Sequence, residues 1–590
     1  SVECIGERAF EGCTGLTDVA LPSSVGYIGE GAFKGCVGLT SVTLPTCVMN
    51  GDEGGDDLER VFDLSCVTNV VVLDGVNYIG YHAFSRRVGL TNVTISDGVR
   101  IIGEGAFSGC TGLTNMTIPS SVRRIDDSAF SGCIGLTNVT ISDGVRIIGE
   151  GAFSGCTGLT SVTIPGSVMS VNVDGEVGED EDGRRTFEGC SSLMHIAVDP
   201  ANKFYSSRNG LLLTKDGTTL VQGVNGDVVI PSGVTRIAGH AFSGFSGLTS
   251  VSIPSSVKEI GDEAFRGCTG LTSVTIPANV TGIDGGTFLG CSGLTNFTVD
   301  AANESYVSEN GLLLTKDGSV LIRGVNGDVV IPPGVREIDA EAFSDCAGLT
   351  GVVIPDGVTR IGDGAFSGCS GLVKVEIPGS VMEIGSEAFS GCAGLTGVTI
   401  PDGVTRIGDE AFSGCSGLVK VEIPGSVTEI GEGTFWGCSG LEGIVVDPAN
   451  ASYAVQDGML VTKDGRRLVY GFRVCGDVVI PADGTDVDYY GVSVDFRDFA
   501  GCDGLTDVTI PTNVWSITNY GGGERRWSYW SGRRRDRCYG YRGLTNITVS
   551  AENGVYFSWN GLLLTSEENN WRRGTFENID VVLVQGVNGD

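Results

Sequence analysis

Apolar residues recur along this chain in a fixed order about every 23 residues. In one such segment the apolar positions are Leu248, Val251, Ile253, Val257, Ile260, Ala264, Phe265 and Cys268. The early ones alternate with polar residues, which is the spacing of a β-strand, and Pro254 ends that strand because proline has no N–H to donate. The next apolar pair predicts a second, shorter strand. The stretch that follows predicts a single helical turn, with Asp262 as its N-cap.

The repeated phenylalanine shows how regular this pattern is. It returns every 23 residues at Phe343, Phe366, Phe389, Phe412 and Phe435, and the chain holds about 18 such segments. One segment buries too few side chains to offset the entropy cost of ordering it, so a single copy should not fold alone. Stacked copies share their apolar faces. The sequence therefore predicts one continuous repeat solenoid over residues 1–590, with parallel strands on one face and short second strands and helical turns elsewhere.

Two phenylalanine intervals are 55 residues long instead of 23, from Phe187 to Phe242 and from Phe288 to Phe343. Each holds a second motif, in which a run of leucines is followed by Lys-Asp-Gly and another apolar run. Asp-Gly between two such runs is a turn signal of β-hairpins. The sequence therefore predicts inserted hairpins, which we expect to pack against the side of the solenoid. Their approximate ranges are residues 198–231, 299–332, 446–481 and 549–590.

The pattern L-x-x-V-x-I-P-x-x-V-x-x-I-G-x-x-A-F-x-x-C resembles the BspA-like class of leucine-rich repeat, and it covers most of the chain. The resemblance implies a solenoid of the leucine-rich-repeat type. Proteins with this repeat are typically bacterial or protozoan surface or secreted proteins, and they act as adhesins or interaction scaffolds without catalysis. The resemblance therefore implies a location at the cell surface or outside the cell.

Both ends of the chain fall inside a repeated motif. Residues 1–10 align with residues 256–265, which form the middle of a segment, and the last five residues match residues 223–227. We therefore expect the chain to be a fragment of a longer protein, whose signal peptide would not be visible here.

The composition argues against several classes of function. Acidic residues number 72 and basic residues 38, so the formal net charge is −34, which disfavours general nucleic-acid binding and adhesion to an anionic membrane. No apolar stretch is long enough for a membrane-spanning helix. Only three histidines occur, and no phosphate-binding loop, metalloprotease motif or nucleophile elbow is found. We predict no enzymatic activity, no catalytic residues, no cofactor and no metal site.

Two acidic insertions interrupt the repeat at about residues 46–60 and 170–185. Their carboxylates are the oxygen ligands that calcium prefers, but neither string matches the twelve-residue calcium-binding loop. The sequence leaves calcium binding open, and solvated loops are the simpler interpretation.

Sixteen of the 19 cysteines occupy one position of the repeat. Adjacent coils could bring them within disulfide range, whereas a metal site needs several ligands that converge on one point, which a single column does not provide. Phe245 and Arg87 replace the cysteine in two segments, so the position tolerates other residues. We predict reduced, buried thiols that act as small hydrophobic side chains.

An unusual segment at about residues 521–543 combines arginines with aromatic residues, the types enriched at binding hot spots. Its candidate partner-binding residues are Arg525, Arg526, Trp527, Tyr529, Trp530, Arg533, Arg534, Arg535, Arg537 and Tyr539. Four more candidates, Lys374, Glu376, Lys420 and Glu422, occupy outward positions of predicted strands. The predicted function is a non-catalytic interaction or adhesion scaffold that binds a protein or a glycan through the solenoid face. A passive structural spacer of a larger envelope protein is the alternative.

Overall fold

Nearly all regular structure in this computed structural model consists of short β-strands, most of which pair with a strand one repeat away. The structure describes residues 2–48, 58, 61–171, 185–283, 285–456, 458–464 and 468–471, together with the backbone of eight later strands. The chain forms two compact units, Ser1–Val307 and Ser308–Asp590, and each is described by itself.

The first unit alternates long and short strands along the chain. Its long strands are Asp18–Ala20, Ser41–Leu44, Asn69–Val72, Asn92–Ile95, Asn115–Ile118, Asn138–Ile141, Ser161–Ile164, His195–Val198, Gly226–Val229, Leu248–Ser252, Ser273–Ile276 and Asn296–Val299. Its short strands are Cys4–Ile5, Tyr27–Ile28, Tyr78–Ile79, Ile101–Ile102, Arg124–Ile125, Ile147–Ile148, Ser170–Val171, Arg236–Ile237, Glu259–Ile260 and Gly282–Ile283. The inserted strands are Tyr205–Arg208, Leu211–Thr214 and Thr219–Gln222, and the 3-10 helices are Thr46–Val48 and Gly285–Phe288.

The second unit repeats this alternation. Its long strands are Gly327–Val330, Leu349–Val353, Lys374–Glu376, Gly397–Thr399, Lys420–Ile423 and Gly443–Val446, and its short strands are Glu337–Ile338, Arg360–Ile361, Glu383–Ile384, Arg406–Ile407 and Glu429–Ile430. The strand Tyr306–Glu309 begins in the last two residues of the first unit, and the further insertion strands of the second unit are Leu312–Thr315, Val320–Arg323, Tyr453–Gln456, Met459–Thr462 and Leu468–Gly471. The strands described by backbone alone are Cys475–Val479, Val492–Asp495, Gly504–Ile510, Val514–Thr518, Asn546–Val549, Tyr556–Trp559, Leu562–Ser566 and Val581–Gln585.

Each coil has one side formed by its long strand and another formed by its short strand. Asn115–Ile118 pairs in parallel and in register with Asn138–Ile141, and Arg124–Ile125 pairs in the same way with Ile147–Ile148. In the first of these strands the second and fourth residues are buried and the first and third are exposed, as the two-residue period of a strand requires. The predicted parallel-strand solenoid is therefore confirmed for the coils of each unit.

The third side of each coil carries the repeated phenylalanine. Phe107, Phe130 and Phe153 are fully buried, and successive rings stack at centroid separations of 5.2 Å with interplanar angles of 8° and 4°. In the second unit Phe366 and Phe389 stack in the same way, at 5.1 Å and 2°. Each ring has a neighbour to stack on only because the next coil is present, which explains why one repeat should not fold alone.

The segment around the phenylalanine differs from the single helical turn that the sequence predicts. It forms a 3-10 helix at Gly285–Phe288, but most described coils place left-handed residues two positions before and two positions after the phenylalanine, as at Ser128 (φ 54°) and Gly132 (φ 70°). Left-handed residues interrupt a right-handed helix. Alternate N–H groups bond to the next coil instead, as from Phe130 to the carbonyl oxygen of Ala152 at 2.7 Å.

The repeated cysteines line a column beside the phenylalanines. In a typical coil the Cys392 thiol is buried and donates to the carbonyl oxygen of Phe366, at 3.1 Å. Burial raises the pKa of Cys110 and of Cys415 to about 12, so these thiols stay protonated at neutral pH. The exposed members of the described column are Cys13 and Cys66. The described cysteines of the column form no disulfide bonds with one another, and the predicted burial of the thiols is confirmed at most of these positions.

The first inserted hairpin belongs to the stack of coils and is not the lateral addition expected from the sequence. Leu211–Thr214 and Thr219–Gln222 form an antiparallel pair, and the second of these strands pairs in parallel with Arg236–Ile237, the short strand of the next coil. The three leucines of the first strand are fully buried. Gly226–Val229 then returns to the long-strand side and pairs with Leu248–Ser252. The hairpin therefore supplies both core residues and a strand of the stack.

A buried asparagine fixes the start of this insertion. Asn202 donates through Nδ2 to the carbonyl oxygens of Pro165 and Val168, both at 2.8 Å, and its Oδ1 accepts the N–H groups of Phe204 and Tyr205, also at 2.8 Å. All hydrogen-bonding groups of the amide are thus satisfied inside the core. The equivalent residues of the next two insertions are Asn303 and Asn450.

The tyrosine three residues later closes the preceding short-strand sheet. The Tyr205 hydroxyl oxygen accepts the N–H of Val171 at 3.0 Å, and Tyr453 accepts that of Ile430 at 2.8 Å. A side chain therefore takes the hydrogen bond that a further strand would otherwise supply. This explains why Ser170–Val171 is the last strand of its sheet.

Candidate interaction surface

Ten of the predicted partner-binding residues lie outside the residues that the structure describes. They are Arg525, Arg526, Trp527, Tyr529, Trp530, Arg533, Arg534, Arg535, Arg537 and Tyr539. Most of both acidic insertions lies outside the described residues as well. The remaining candidates, Lys374, Glu376, Lys420 and Glu422, lie on the solvent side of the long-strand sheet of the second unit. This solvent side is called the long-strand face below.

The parallel register arranges the outward residues of this face in two rows. The first row is Asp328, Gly351, Lys374, Gly397, Lys420 and Gly443, and the second row is Val330, Val353, Glu376, Thr399, Glu422 and Val445. Two charged coils are therefore separated by a coil that carries glycine and threonine. Since parallel strands lie about 4.8 Å apart, the two charged coils are about 9.6 Å from each other.

Each charged coil pairs its own lysine with its own glutamate. Lys374 Nζ lies 2.5 Å from Glu376 Oε1, and Lys420 Nζ lies 2.6 Å from Glu422 Oε1. The hydrogen bond from Lys374 lowers the pKa of Glu376, so this carboxylate is ionised at neutral pH. The side chains are 55% to 82% exposed. Exposed ion pairs contribute little to folding, so the fold does not require these residues.

An open depression of about 490 Å³ lies between the two ion pairs. The lysine–glutamate pairs form its walls, and Gly397 and Thr399 form its floor. A Cβ atom placed on Gly397 would meet no atom within 4 Å, and the residue is not among those with positive φ. The fold therefore does not require glycine at this position, and the missing side chain keeps the floor of the depression low.

Exposed valines extend this face on both sides of the charged coils. Val330, Val353 and Val445 are 55%, 58% and 49% exposed, although valine is usually buried. Sequence reasoning identified the lysines and glutamates but missed Val330 and Val445. These two valines could have been identified from the sequence, because they occupy outward positions of the strand pattern, in the same row as Glu376.

The short-strand side of the second unit carries another charged row, which sequence reasoning missed. Its members are Glu337, Arg360, Glu383, Arg406 and Glu429, which occupy paired positions of successive strands. Arg360 lies 2.7 Å from Glu337, and Arg406 lies 2.8 Å from Glu383. Each arginine also approaches the next glutamate, at 3.4 Å and 3.2 Å, and these carboxylates raise the pKa of Arg406. The charges of this row pair with one another within the protein. The row could have been identified from the sequence by its alternation of glutamate and arginine.

The three histidines differ in their surroundings. His240 is buried, with Nδ1 3.3 Å from Glu263 Oε2, whereas His82 and His195 are exposed. Among the described residues, no three His, Cys, Asp or Glu side chains are placed to hold a metal ion together. The same part of the chain has no helix with the length and apolar character needed to cross a membrane.

Comparison with protein families identifies the repeat. The model of the BspA type leucine rich repeat region, in six copies, matches residues 1–54, 59–174, 225–310 and 328–452. The chain belongs to the BspA-type leucine-rich repeat family. For this BspA-type protein, the family suggests a protein-interaction scaffold, and solenoids of this kind are typically non-catalytic.

Solved structures of leucine-rich repeat proteins are similar to the chain. A leucine rich cell surface protein from Faecalibacterium prausnitzii is 28% identical with a TM-score of 0.40, and the match covers 69% of this chain and 87% of that one. A leucine-rich repeat protein from Eubacterium ventriosum is 23% identical with a TM-score of 0.35, covering 59% and 88%. Another from Bacteroides ovatus is 24% identical with a TM-score of 0.31, covering 73% and 87%. No curated protein sequence gives a significant match.

Proposed function

We propose that this BspA-type protein is a non-catalytic interaction scaffold, present at the cell surface or secreted, that binds a protein through the long-strand face of its second unit. The observation that carries the proposal is the depression between the Lys374–Glu376 and Lys420–Glu422 pairs. Its charged walls and open floor are not needed by the fold, so they are available for a partner. The location rests on the family resemblance.

The chemistry of this face suits a polypeptide partner. Two cations and two anions surround the depression, and Val353 and Val445 lie exposed beyond them. A polypeptide offers both signs of charge, backbone amides and apolar side chains, and protein interfaces commonly combine these groups. The equal numbers of positive and negative groups also mean that net charge alone would not select the partner.

A protein is favoured over a glycan at this face because of the residue types present. Sugars are commonly bound by stacking on aromatic rings, and no aromatic side chain occupies the two outward rows in the described coils of the second unit. Aromatic residues are instead concentrated at residues 521–543. We propose that segment as a separate contact site, supported by its mixture of arginine and aromatic residues.

A passive structural spacer is the second candidate, and the long-strand face of the first unit favours it. Asn138 Nδ2 there bonds to Asn115 Oδ1 at 3.0 Å, and Asn69 Nδ2 bonds to Ser41 Oγ at 2.9 Å. Polar groups that bond to one another between coils reinforce the stack. They also have fewer hydrogen bonds left to offer a ligand.

A binding screen of the purified chain against panels of extracellular-matrix proteins and glycans tests the proposal. The site variant is Lys374→Ala/Glu376→Ala/Lys420→Ala/Glu422→Ala, and the matched control on the first unit is Asn92→Ala/Asn115→Ala/Thr117→Ala/Asn138→Ala. We expect a protein ligand whose affinity falls at least about tenfold in the site variant and stays unchanged in the control.

Other results of the same screen separate the alternatives. A glycan ligand lost in the Arg533→Ala/Arg534→Ala/Arg535→Ala variant but kept in the site variant would move the binding site to residues 521–543. A screen in which no ligand binds, or in which every variant binds as the wild type does, would favour the spacer and overturn the proposal.

A further inference from the structure

Over five successive coils, the two outward rows of the second unit's long-strand face are complementary to each other, and the coil of Asp328 and Val330 lies outside this pattern. Where the first row has lysine the second has glutamate, and where the first has glycine the second has valine or threonine. This holds over five successive coils, from Gly351 to Gly443. We infer that this face binds a second copy of the chain, related by a two-fold axis that runs along the stack of coils midway between the rows. The inference rests on the proposed function, because it names a partner for the same surface.

A two-fold axis in this position has a simple consequence for the contact. It reverses the strand direction of the second copy but keeps the order of the coils. Each coil therefore faces the same coil of the second copy, and each first-row residue faces the second-row residue of that coil. The contact is isologous, so every facing pair occurs twice.

The charged coils meet in this arrangement without leaving a charge unpaired. Lys374 faces Glu376 of the second copy, and the reverse pair forms as well, so the four groups make a square of alternating charge. Lys420 and Glu422 make a second square. The bond of 2.5 Å between Lys374 and its own Glu376 need not break. A two-fold axis along the strands would instead set Lys374 against Lys420, and like charges disfavour that alternative.

In the neutral coils, the side chain of one copy faces the space above a glycine of the other copy. Gly351 faces Val353 of the second copy, and Gly443 faces Val445. A Cβ atom placed on Gly397 or Gly443 would meet no atom of its own chain within 4 Å. The gaps at Gly397 and Gly443 are therefore not needed by the fold, whereas a Cβ atom placed on Gly351 would lie 3.2 Å from Asp328 Oδ1. These valines are 58% and 49% exposed in the isolated chain, and their burial would favour association.

The size of the patch sets the expected strength of the dimer. Five coils about 4.8 Å apart and two rows about 6.6 Å apart give a contact of roughly 400 Å² per copy, side chains included. This is about half of the 800 Å² that a standard interface buries on each partner. We expect a reversible dimer that forms at high protein concentration and weakens as salt screens the exposed charges.

Sedimentation equilibrium of the full chain, over concentrations up to about 500 µM at low salt, tests the inference. The reversal variant Lys374→Glu/Lys420→Glu should associate at least about tenfold more weakly than wild type, because like charges then face each other. The swap variant Lys374→Glu/Glu376→Lys/Lys420→Glu/Glu422→Lys should regain wild-type association, because it is self-complementary again. Lys203→Glu/Lys463→Glu changes two exposed lysines elsewhere by the same charge and should behave as wild type.

Mixing the swap variant with wild type provides a second test, because lysine would then face lysine and no mixed dimer should form. A wild type that stays monomeric throughout the range overturns the inference, and so does a swap variant that remains as weak as the reversal variant. In either case, loss of a different protein ligand in the four-alanine site variant would leave the proposed function standing. The two failures are therefore distinguishable.

Discussion

The long-strand faces of the two units cover similar hydrophobic cores but carry different side chains on their solvent sides. In the first unit, asparagine side chains bond from coil to coil, from Asn138 Nδ2 to Asn115 Oδ1 at 3.0 Å and from Asn92 Nδ2 to Asn69 Oδ1 at 2.5 Å. In the second unit, the lysine–glutamate bonds run within a coil, as from Lys374 to its own Glu376. Bonds between coils reinforce the stack, whereas bonds within a coil leave it unaffected.

This difference indicates which residues serve the fold and which are available for other roles. The buried positions are similar in both units, since each uses the same phenylalanine, cysteine, isoleucine and valine columns. The outward positions vary without affecting those columns, because the side chains of a strand alternate between its two sides. A repeat protein can therefore carry a structural surface and a binding surface on one scaffold.

The largest expected effect tests whether the two cores are equivalent. Phe130→Ala in the first unit and Phe389→Ala in the second each remove a fully buried ring that stacks on both neighbours. Each should lower the free energy of unfolding by about 3–5 kcal/mol, measured by urea denaturation. A much smaller loss of unfolding free energy at one of these positions would show that the two cores are not equivalent.

Raising the pH above 9 should destabilise the cores of both units over the same pH range. Burial raises the pKa of Cys110 and Cys415 from 9.0 to about 12, so above pH 9 these thiols ionise in the unfolded chain but not in the folded one. Their contribution is fully present below pH 9 and is lost as the pH rises toward 12. At pH 10 the free energy of unfolding should be lower by about 1 kcal/mol for each such thiol.

The measurement for this window is the denaturation midpoint of the chain at pH 8 and at pH 10. Cys415→Ala removes one of the thiols, so the midpoint of that variant should fall less between the two pH values. An equal fall in the variant and the wild type would mean that the Cys415 thiol does not contribute to the pH dependence.

A pair of glycines sharpens the comparison between core and face. Gly391 has φ 70° and belongs to the turn beside a phenylalanine, whereas Gly397 lies on the long-strand face and is not among the residues with positive φ. Gly391→Ala should lower the free energy of unfolding by about 1–2 kcal/mol. Gly397→Ala should leave it unchanged or raise it by up to about 1 kcal/mol. Thermal melts compare the two, and equal losses would show that the fold also requires Gly397.

The smallest effects are expected on the faces themselves. Asn115→Ala removes a hydrogen bond between coils and should cost at most about 1 kcal/mol, because the site is exposed. Lys374→Ala should leave the unfolding midpoint unchanged, because the side chain of its partner Glu376 is 82% exposed. A larger loss at Lys374 than at Asn115 would reverse the assignment of structural and available surfaces.

The core of a coil could be predicted from the sequence because apolar spacing alone determines it. The turn beside the phenylalanine could not. Residues such as Glu263 (φ 49°) and Glu387 (φ 53°) adopt the left-handed region there, and glutamate is ordinarily a helix former. Hydrogen bonds to the next coil, as from the N–H of Glu387 to the carbonyl oxygen of Asp409 at 2.7 Å, accompany this backbone conformation, and the local sequence does not reveal them.

The position of the hairpins also could not be predicted from the sequence, because a run of leucines is compatible with a lateral hairpin and with a buried one. The pairing of Thr219–Gln222 with Arg236–Ile237 places this hairpin within the stack of coils. That pairing depends on contacts between residues that are distant in the chain. For the candidate surface, the outward position of Lys374 follows from the two-residue period. The depression beside it does not, since it depends on which coils become neighbours. The role of residues 521–543 stays a prediction.

The regular 23-residue spacing from Phe343 to Phe435 has an evolutionary consequence. The coils from Phe343 to Phe412 present the same ring, thiol and backbone groups to their neighbours, so a duplication or deletion of 23 codons among them joins surfaces that already fit. One recombination event then changes the number of coils without any compensating substitution. Array length and surface chemistry are therefore free to evolve independently of each other.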